Sequence, residues 1–146
     1  MKKQYIAAAA LAALTVTAFA NTPNFSAITI RETGNFLQTL PTDFHMVQPA
    51  AAKSQIDAIK PFLLDVREPN EFADGRLPGA VNVPLRTLPA KLSELPDKNR
   101  PIIVYCGIGH RGALALPFLK MQGYTNIRSM AGGYKAWVAA SYPTEK

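Results

Sequence analysis

Cysteine is almost absent from this 146-residue chain: Cys106 stands alone, and the histidines are only two, His45 and His110. One thiol closes no intramolecular disulfide, and these three side chains are too few for an all-protein zinc cage of Cys and His ligands, so a disulfide scaffold and a zinc finger are both excluded. Long hydrophobic runs are scarce as well. The single one, from Ile6 to Phe19, falls short of the roughly 20 apolar residues that a membrane-crossing helix needs. Charge of one sign is nowhere concentrated. Sixteen Lys and Arg against ten Asp and Glu leave a net +6, but with no run of five or more like charges, which describes a solubilising surface and not a nucleic-acid-binding one. What is present, 48% hydrophobic and 18% charged residues, fits one soluble globular domain, and the length is too small for two.

The N-terminus reads as a segment to be removed. Lys2 and Lys3 precede the apolar stretch, and Ala18-Phe19-Ala20 stands before Asn21 as a small-x-small cleavage site, so residues 1–20 are expected to be a cleaved secretory signal peptide. No cysteine borders the cut, which excludes a lipoprotein anchor. The cleaved chain is therefore expected to be periplasmic, with no stable membrane association. Residues 21–43 form a Thr/Asn-rich extension punctuated by Gly34 and Pro41, with one helical turn expected around Phe36, Leu37 and Leu40.

Short apolar runs then alternate with helical patterns. His45-Met46-Val47 reads as a strand, Ala50 to Lys60 as a helix, Phe62 to Val66 as a strand and Ala80 to Val83 as another. Leu85, Leu88, Leu92 and Leu95 recur at three- and four-residue spacing, as one face of a helix would, although Pro89 interrupts near its start. Ile102-Ile103-Val104-Tyr105 has no polar alternation, the mark of a strand buried on both faces of a parallel sheet, and is expected to be central. Arg111 to Gln122 follows as a helix ending at Gly123, with a kink or restart expected at Pro117. A strand from Ile127 to Met130 and a helix from Gly133 to Ala140 complete the order. The implied fold class is α/β, three layers with a central, mainly parallel sheet flanked by helices.

Directly after the buried strand comes Cys106-Gly107-Ile108-Gly109-His110-Arg111-Gly112. In an open α/β sheet, ligands bind just beyond the carboxyl ends of the strands. Three glycines let the backbone curl so that several N–H groups point at one atom, an anion-binding nest. The start of the next helix adds the positive end of its dipole, and Arg111 adds a full charge. Each of these favours thiolate over thiol at Cys106, and hence a better nucleophile.

This loop resembles the C-x-x-G-x-R active-site loop of single-domain rhodaneses, the sulfurtransferase family. Two further stretches are similar to the family's signatures: Leu64-Asp65-Val66-Arg67-Glu68-Pro69-Asn70-Glu71-Phe72 with Gly75 to Pro84 upstream, and Gly132-Gly133-Tyr134-Lys135-Ala136-Trp137 downstream. Arg76 departs from the pattern, standing where the family usually has His, with no consequence expected for chemistry. The resemblance covers residues 44–142 as a rhodanese domain, leaving 143–146 as a C-terminal tail.

The resemblance implies a sulfurtransferase that moves sulfane sulfur from thiosulfate or a similar small anionic donor, through a persulfide on Cys106, to cyanide, a thiol or a protein acceptor. The N–H groups of Gly107, Ile108, Gly109, His110 and Arg111 would hold the persulfide's charge, the Arg111 side chain would help dock the donor, and His110 would line the rim. No metal and no organic cofactor is implied. Arg67 is expected to pair with Glu68 or Glu71, Trp137 to be core, and His45 to be a structural residue at an edge or in the core. Two rivals are weighed. Related phosphatases and arsenate reductases use C-x5-R, one residue longer than the four between Cys106 and Arg111. A persulfide carrier, or a binding module serving a dedicated partner, would look the same at the loop.

Overall fold

A computed structural model describes residues 26–146; the expected signal peptide over 1–20 lies outside the described residues. The chain divides after Gln38 into two units. In the first, α1 (Ala27–Gln38) is a 12-residue helix, three turns where the sequence suggested one. Ile28, Thr29, Ile30 and Gly34 are weak helix formers, but Ser26 caps the start. Its hydroxyl accepts from the Thr29 N–H at 3.2 Å, and its carbonyl accepts from the Ile30 N–H at 3.1 Å. None of the helix is buried.

The second unit is a five-stranded sheet in the order β1-β5-β4-β2-β3, from β1 (Met46–Val47), β2 (Phe62–Asp65), β3 (Val81–Asn82), β4 (Ile102–Tyr105) and β5 (Ile127–Met130). Every pairing is parallel, which makes the sheet wholly and not just mainly parallel. β4 is central and buried along its whole length. Its side chains alternate between two cores, as a period of two requires. Ile102, Val104 and Cys106 join Ala115 and Leu119 of α4 (His110–Met121) on one face. Ile103 and Tyr105 join Ala52 of α2 (Pro49–Ile59) and Trp137 of α5 (Gly133–Ala139) on the other. Trp137 is 1% exposed, and its indole N–H donates to the Pro143 carbonyl at 2.8 Å. Helices on both faces complete the three layers. Among the described residues, no helix is long and apolar enough to cross a membrane.

Further expectations change. The leucine span is not an α-helix but two short 3-10 turns, Leu88–Ala90 and Leu92–Glu94. Pro89 has no N–H for a helix interior, and Pro84 and Pro96 close the span on both sides. The leucines still face the core: Leu88 is buried, and Leu85, Leu92 and Leu95 pack partly buried against the α4 cluster. Of the two outcomes expected at Pro117, the restart does not occur, for α4 runs uninterrupted from His110 to Met121. Ala113, whose carbonyl has no N–H to accept from at Pro117, is an exposed residue. Arg67 pairs with Asp65, at 2.6 Å, and not with Glu68 or Glu71. His45 immediately precedes the edge strand β1, its carbonyl accepting from the Ser129 N–H at 2.9 Å. Burial pushes its imidazole below the ordinary histidine value.

Candidate active site

The sheet delivers Cys106 at the carboxyl end of its central strand, 1% exposed. The chain then turns through Gly107, Ile108 and Gly109 into α4. Gly109 takes φ +102, a left-handed conformation open mainly to glycine. That turn aims its N–H back at the Cys106 Sγ, 3.2 Å away.

The loop's carbonyls are held from outside by α5. The Tyr134 N–H donates to the Cys106 carbonyl at 2.6 Å, and the Lys135 N–H donates to the Gly107 carbonyl at 2.9 Å. Because a trans peptide sets its C=O and N–H in opposite directions, the N–H groups of Gly107 and Ile108 are turned away from α5. A helix thus docks behind the loop. That docking is close. Gly133 takes φ +57, and a β-carbon there would collide with the Cys106 carbonyl oxygen and lie 2.9 Å from the Gly109 nitrogen. Gly112 plays the same part in α4, where a β-carbon would come within 2.8 Å of the Ser129 Oγ.

Arg111, in the first turn of α4, is not a free cation. Its Nη1 and Nη2 donate to the two oxygens of Glu71 at 2.6 and 2.7 Å. Glu71 lies in α3 (Pro69–Asp74), where it also accepts from the Glu68 N–H at 3.0 Å in a reciprocal capping box. The hydrogen bonds from Arg111 hold the Glu71 carboxyl down at about 2. The Glu71 carboxylate raises the guanidinium in turn, and Cys106 adds to that in the same direction. The pair rests on the loop: a β-carbon at Gly107 would meet Arg111 Nη2 at 3.3 Å and Glu71 Oε1 at 3.6 Å.

Behind Glu71 a buried network fixes the segment that carries it. The Arg67 Nη2 donates to Asp65 at 2.6 Å and to the Gly75 carbonyl at 2.7 Å. The guanidinium lies 4.3 Å from the centre of the Tyr134 ring, which ties α3 to α5. Burial raises the Tyr105 phenol, whose oxygen accepts from the Leu77 N–H at 3.2 Å. Arg76 pairs with Glu145 at 3.0 Å and takes no part in the loop.

All six residues singled out in the sequence therefore sit together. Cys106 and Gly109 are buried, Gly107 and Arg111 half-buried, and Ile108 and His110 exposed. Sequence reasoning missed two others. The sequence offers Glu71, no more than Glu68, as a partner for Arg67, and nothing at its position signals a partner in α4. Gly133 had a signal in the Gly132-Gly133 doublet, since a pair of glycines ahead of a helix marks a left-handed turn or a close approach. Among the described residues, no group of three His, Cys, Asp or Glu side chains is placed to hold a metal ion.

The model of the rhodanese-like domain matches residues 48–140. A thiosulfate sulfurtransferase of Stutzerimonas stutzeri is 31% identical over 104 residues, covering 71% of this chain and 93% of that one. A thiosulfate sulfurtransferase of Escherichia coli is 36% identical over 73 residues, covering 49% and 69%. Among solved structures, a rhodanese-related protein from Thermoplasma volcanium aligns with a TM-score of 0.63 at 32% identity, over 68% of this chain and 96% of that one. A human single-domain sulfurtransferase aligns with a TM-score of 0.58 at 30% identity, over 64% and 95%.

Proposed function

The chain belongs to the rhodanese-like domain family of sulfurtransferases, and from that premise we propose that it moves sulfane sulfur from a small anionic donor such as thiosulfate to cyanide or a thiol through a persulfide on Cys106. The observation that carries the reading is the Gly109 N–H at 3.2 Å from the Cys106 Sγ, in a loop whose Cys106 and Gly107 carbonyls are held by α5. The Cys106 thiolate attacks the outer sulfur of the donor. A sulfur–sulfur bond forms to Cys106, the donor's own sulfur–sulfur bond breaks, and sulfite leaves with that electron pair when thiosulfate is the donor. The terminal sulfur of the persulfide then carries one negative charge, which the amides of Gly107 to Arg111 accept as fixed dipoles without reorganising. A second nucleophile takes the outer sulfur, and the thiolate returns. The cycle as written uses no metal or organic cofactor and no second cysteine.

Steady-state production of thiocyanate from thiosulfate and cyanide tests this. The expected result is ping-pong kinetics, abolished in Cys106→Ala. Turnover that survives the substitution would overturn the reading. Turnover only with a persulfidated protein as donor would move the protein to the carrier role.

The basic start at Lys2 and Lys3, the apolar stretch from Ile6 and the Ala18-Phe19-Ala20 site support export, and we place the reaction in the periplasm. N-terminal sequencing of the protein from a bacterial periplasmic fraction is expected to begin at Asn21. Recovery of the protein in the cytoplasm with residues 2–20 still attached would contradict it.

A further inference from the structure

Every strand pairing is parallel, so Cys106 marks the end of the sheet where strands finish, and the segments that lead into strands gather at the other end. That far end has a composition of its own. Lys60 stands before β2, Lys98 and Arg100 before β4, and Lys120 in the last turn of α4 before β5. Dispersed in the sequence, they are brought together by the fold. The Lys120 Nζ donates to the Thr125 carbonyl at 2.7 Å, the Lys98 carbonyl accepts from the Thr125 N–H at 3.2 Å, and the Arg100 guanidinium lies 5.7 Å from the centre of the Phe62 ring. Among the described residues, none of the four is in an ion pair. Of the acids at this end, Asp43 is held by Arg128 and Asp57 by Lys53, and only Asp97 lacks an ion pair. Four cations against one acid make three of the four net positive charges that residues 26–146 carry. Lys60 and Lys120 also offset the negative ends of α2 and α4, but Lys98 and Arg100 lie in a loop and serve no helix. Burial and then the charge of Arg128 lower Lys120, and burial and then Lys120 lower His45, so the positive potential reaches from α4 to the start of β1.

Three large apolar side chains stand out of the same end. Phe44, before β1, is 62% exposed, Ile59, at the end of α2, is 57% exposed, and Met121, at the end of α4, is 52% exposed. Phe44 is held there against its conformational preference. Phe44 and His45 have φ +51 and +55, and the Met46 N–H donates to the Asp43 carbonyl at 2.8 Å, a tight turn whose two central positions ordinarily take Gly or Asn. Asp43 enforces it, accepting from the His45 N–H at 2.9 Å with one carboxylate oxygen and from Arg128 with the other. Left-handed conformations imposed on such residues gather at functional positions. We propose that this end of the domain is a docking surface for an anionic lipid bilayer, with the four cations at the phosphates and Phe44, Ile59 and Met121 in the acyl boundary. The charge and the apolar tips together pick the occupant. A second copy of this face would set like charge against like, and a soluble acidic polymer would satisfy the cations but leave the apolar tips in water. The association is peripheral and reversible, and it keeps Cys106 at the end that faces solution.

The chain from Asn21, the form expected after export, is to be co-sedimented with vesicles of phosphatidylcholine alone and of phosphatidylcholine mixed equally with phosphatidylglycerol. Binding to the anionic vesicles only is expected at about 0.1 M NaCl, with most of it lost at about 0.5 M as the charges are screened. Each cation near an anionic surface is worth about fivefold in partitioning, so Lys98→Gln combined with Arg100→Gln should weaken binding about 25-fold. Phe44→Asn, which suits the left-handed turn and so keeps the fold, should weaken it about tenfold through the lost apolar contact. Arg86→Gln, which removes an exposed cation beyond the finishing end of β3, should change nothing. Equal binding to both kinds of vesicle, binding to neither, or an equal loss in Arg86→Gln overturns the proposal. Two further results would also overturn it by naming another occupant. Anionic binding that ignores Phe44→Asn and is displaced by soluble polyglutamate would mean an acidic polymer, and a dimer on gel filtration that Phe44→Asn dissociates would mean a second copy.

Discussion

Gly133→Ala isolates the contact by which α5 shapes the cysteine loop. The substitution has two separable costs. At φ +57 an L-residue in the left-handed region costs roughly 1–2 kcal/mol. The added β-carbon also collides with the Cys106 carbonyl oxygen and lies 2.9 Å from both the Gly107 carbonyl carbon and the Gly109 nitrogen, an overpacking that typically costs about 1–3 kcal/mol. Gly79→Ala separates the two. Gly79 has φ +74, and nothing lies within 4 Å of its would-be β-carbon, so it carries the conformational cost alone. Urea unfolding should therefore show Gly133→Ala less stable than Gly79→Ala by about 1–3 kcal/mol, at equal slope. The loop can relieve the collision only by backing away from α5, which moves the Gly109 N–H off the sulfur. Single-turnover sulfur loading of Cys106 should fall by about 100-fold in Gly133→Ala and stay at the wild-type rate in Gly79→Ala. Equal stability of the two variants, together with full loading in Gly133→Ala, would refute the reasoning.

Further predictions concern the ion pairs around the loop. The Glu71 carboxyl is depressed from 4.5 to about 2 by Arg111, so the pair stabilises the fold above pH 4.5 and loses that contribution as pH falls toward 2. Discounted for a half-exposed pair, the gap between wild type and Glu71→Gln in denaturant unfolding should be about 1 kcal/mol near neutrality and should close near pH 2; a constant gap would contradict it. Arg67→Ala strands the fully buried Asp65 carboxylate, at an expected cost of about 3–5 kcal/mol, whereas a double variant with Asp65→Asn and Arg67→Met should lose much less. Unfolding midpoints that rank the double variant below the single one would contradict that account.

The sheet was legible in the sequence because burial on both faces writes itself into residue type. Ile102-Ile103-Val104-Tyr105 has no polar position to spare, and it is the middle strand. The cysteine loop was legible because its glycines, arginine and nucleophile are contiguous. The leucine span misled because three- and four-residue spacing marks a buried face, and a proline-bounded loop of two 3-10 turns can present such a face as well as a helix can. Only one turn of α1 is legible because Gly34 and Pro41 punctuate a Thr/Asn-rich stretch, whereas the cap that starts the longer helix is a single Ser26 hydroxyl. The Glu71–Arg111 pair could not be read at all. Its partners are 40 residues apart, and Glu68, Glu71 and Asp65 are equivalent acids on paper until the fold settles which guanidinium each one reaches. Gly133 stood in a recognisable motif, but its role depends on where the Cys106 carbonyl lies in space.

The central claim is that Cys106 carries sulfur as a persulfide, and the mass of the protein itself tests it most directly. Reduced protein incubated with thiosulfate or methanethiosulfonate and freed of excess donor should gain one sulfur atom, about 32 Da, located at Cys106 by peptide mapping, absent in Cys106→Ala, and removed by cyanide with release of thiocyanate. Folded protein with a free Cys106 thiol that gains no mass from either donor, or that gains it equally in Cys106→Ala, would contradict the claim.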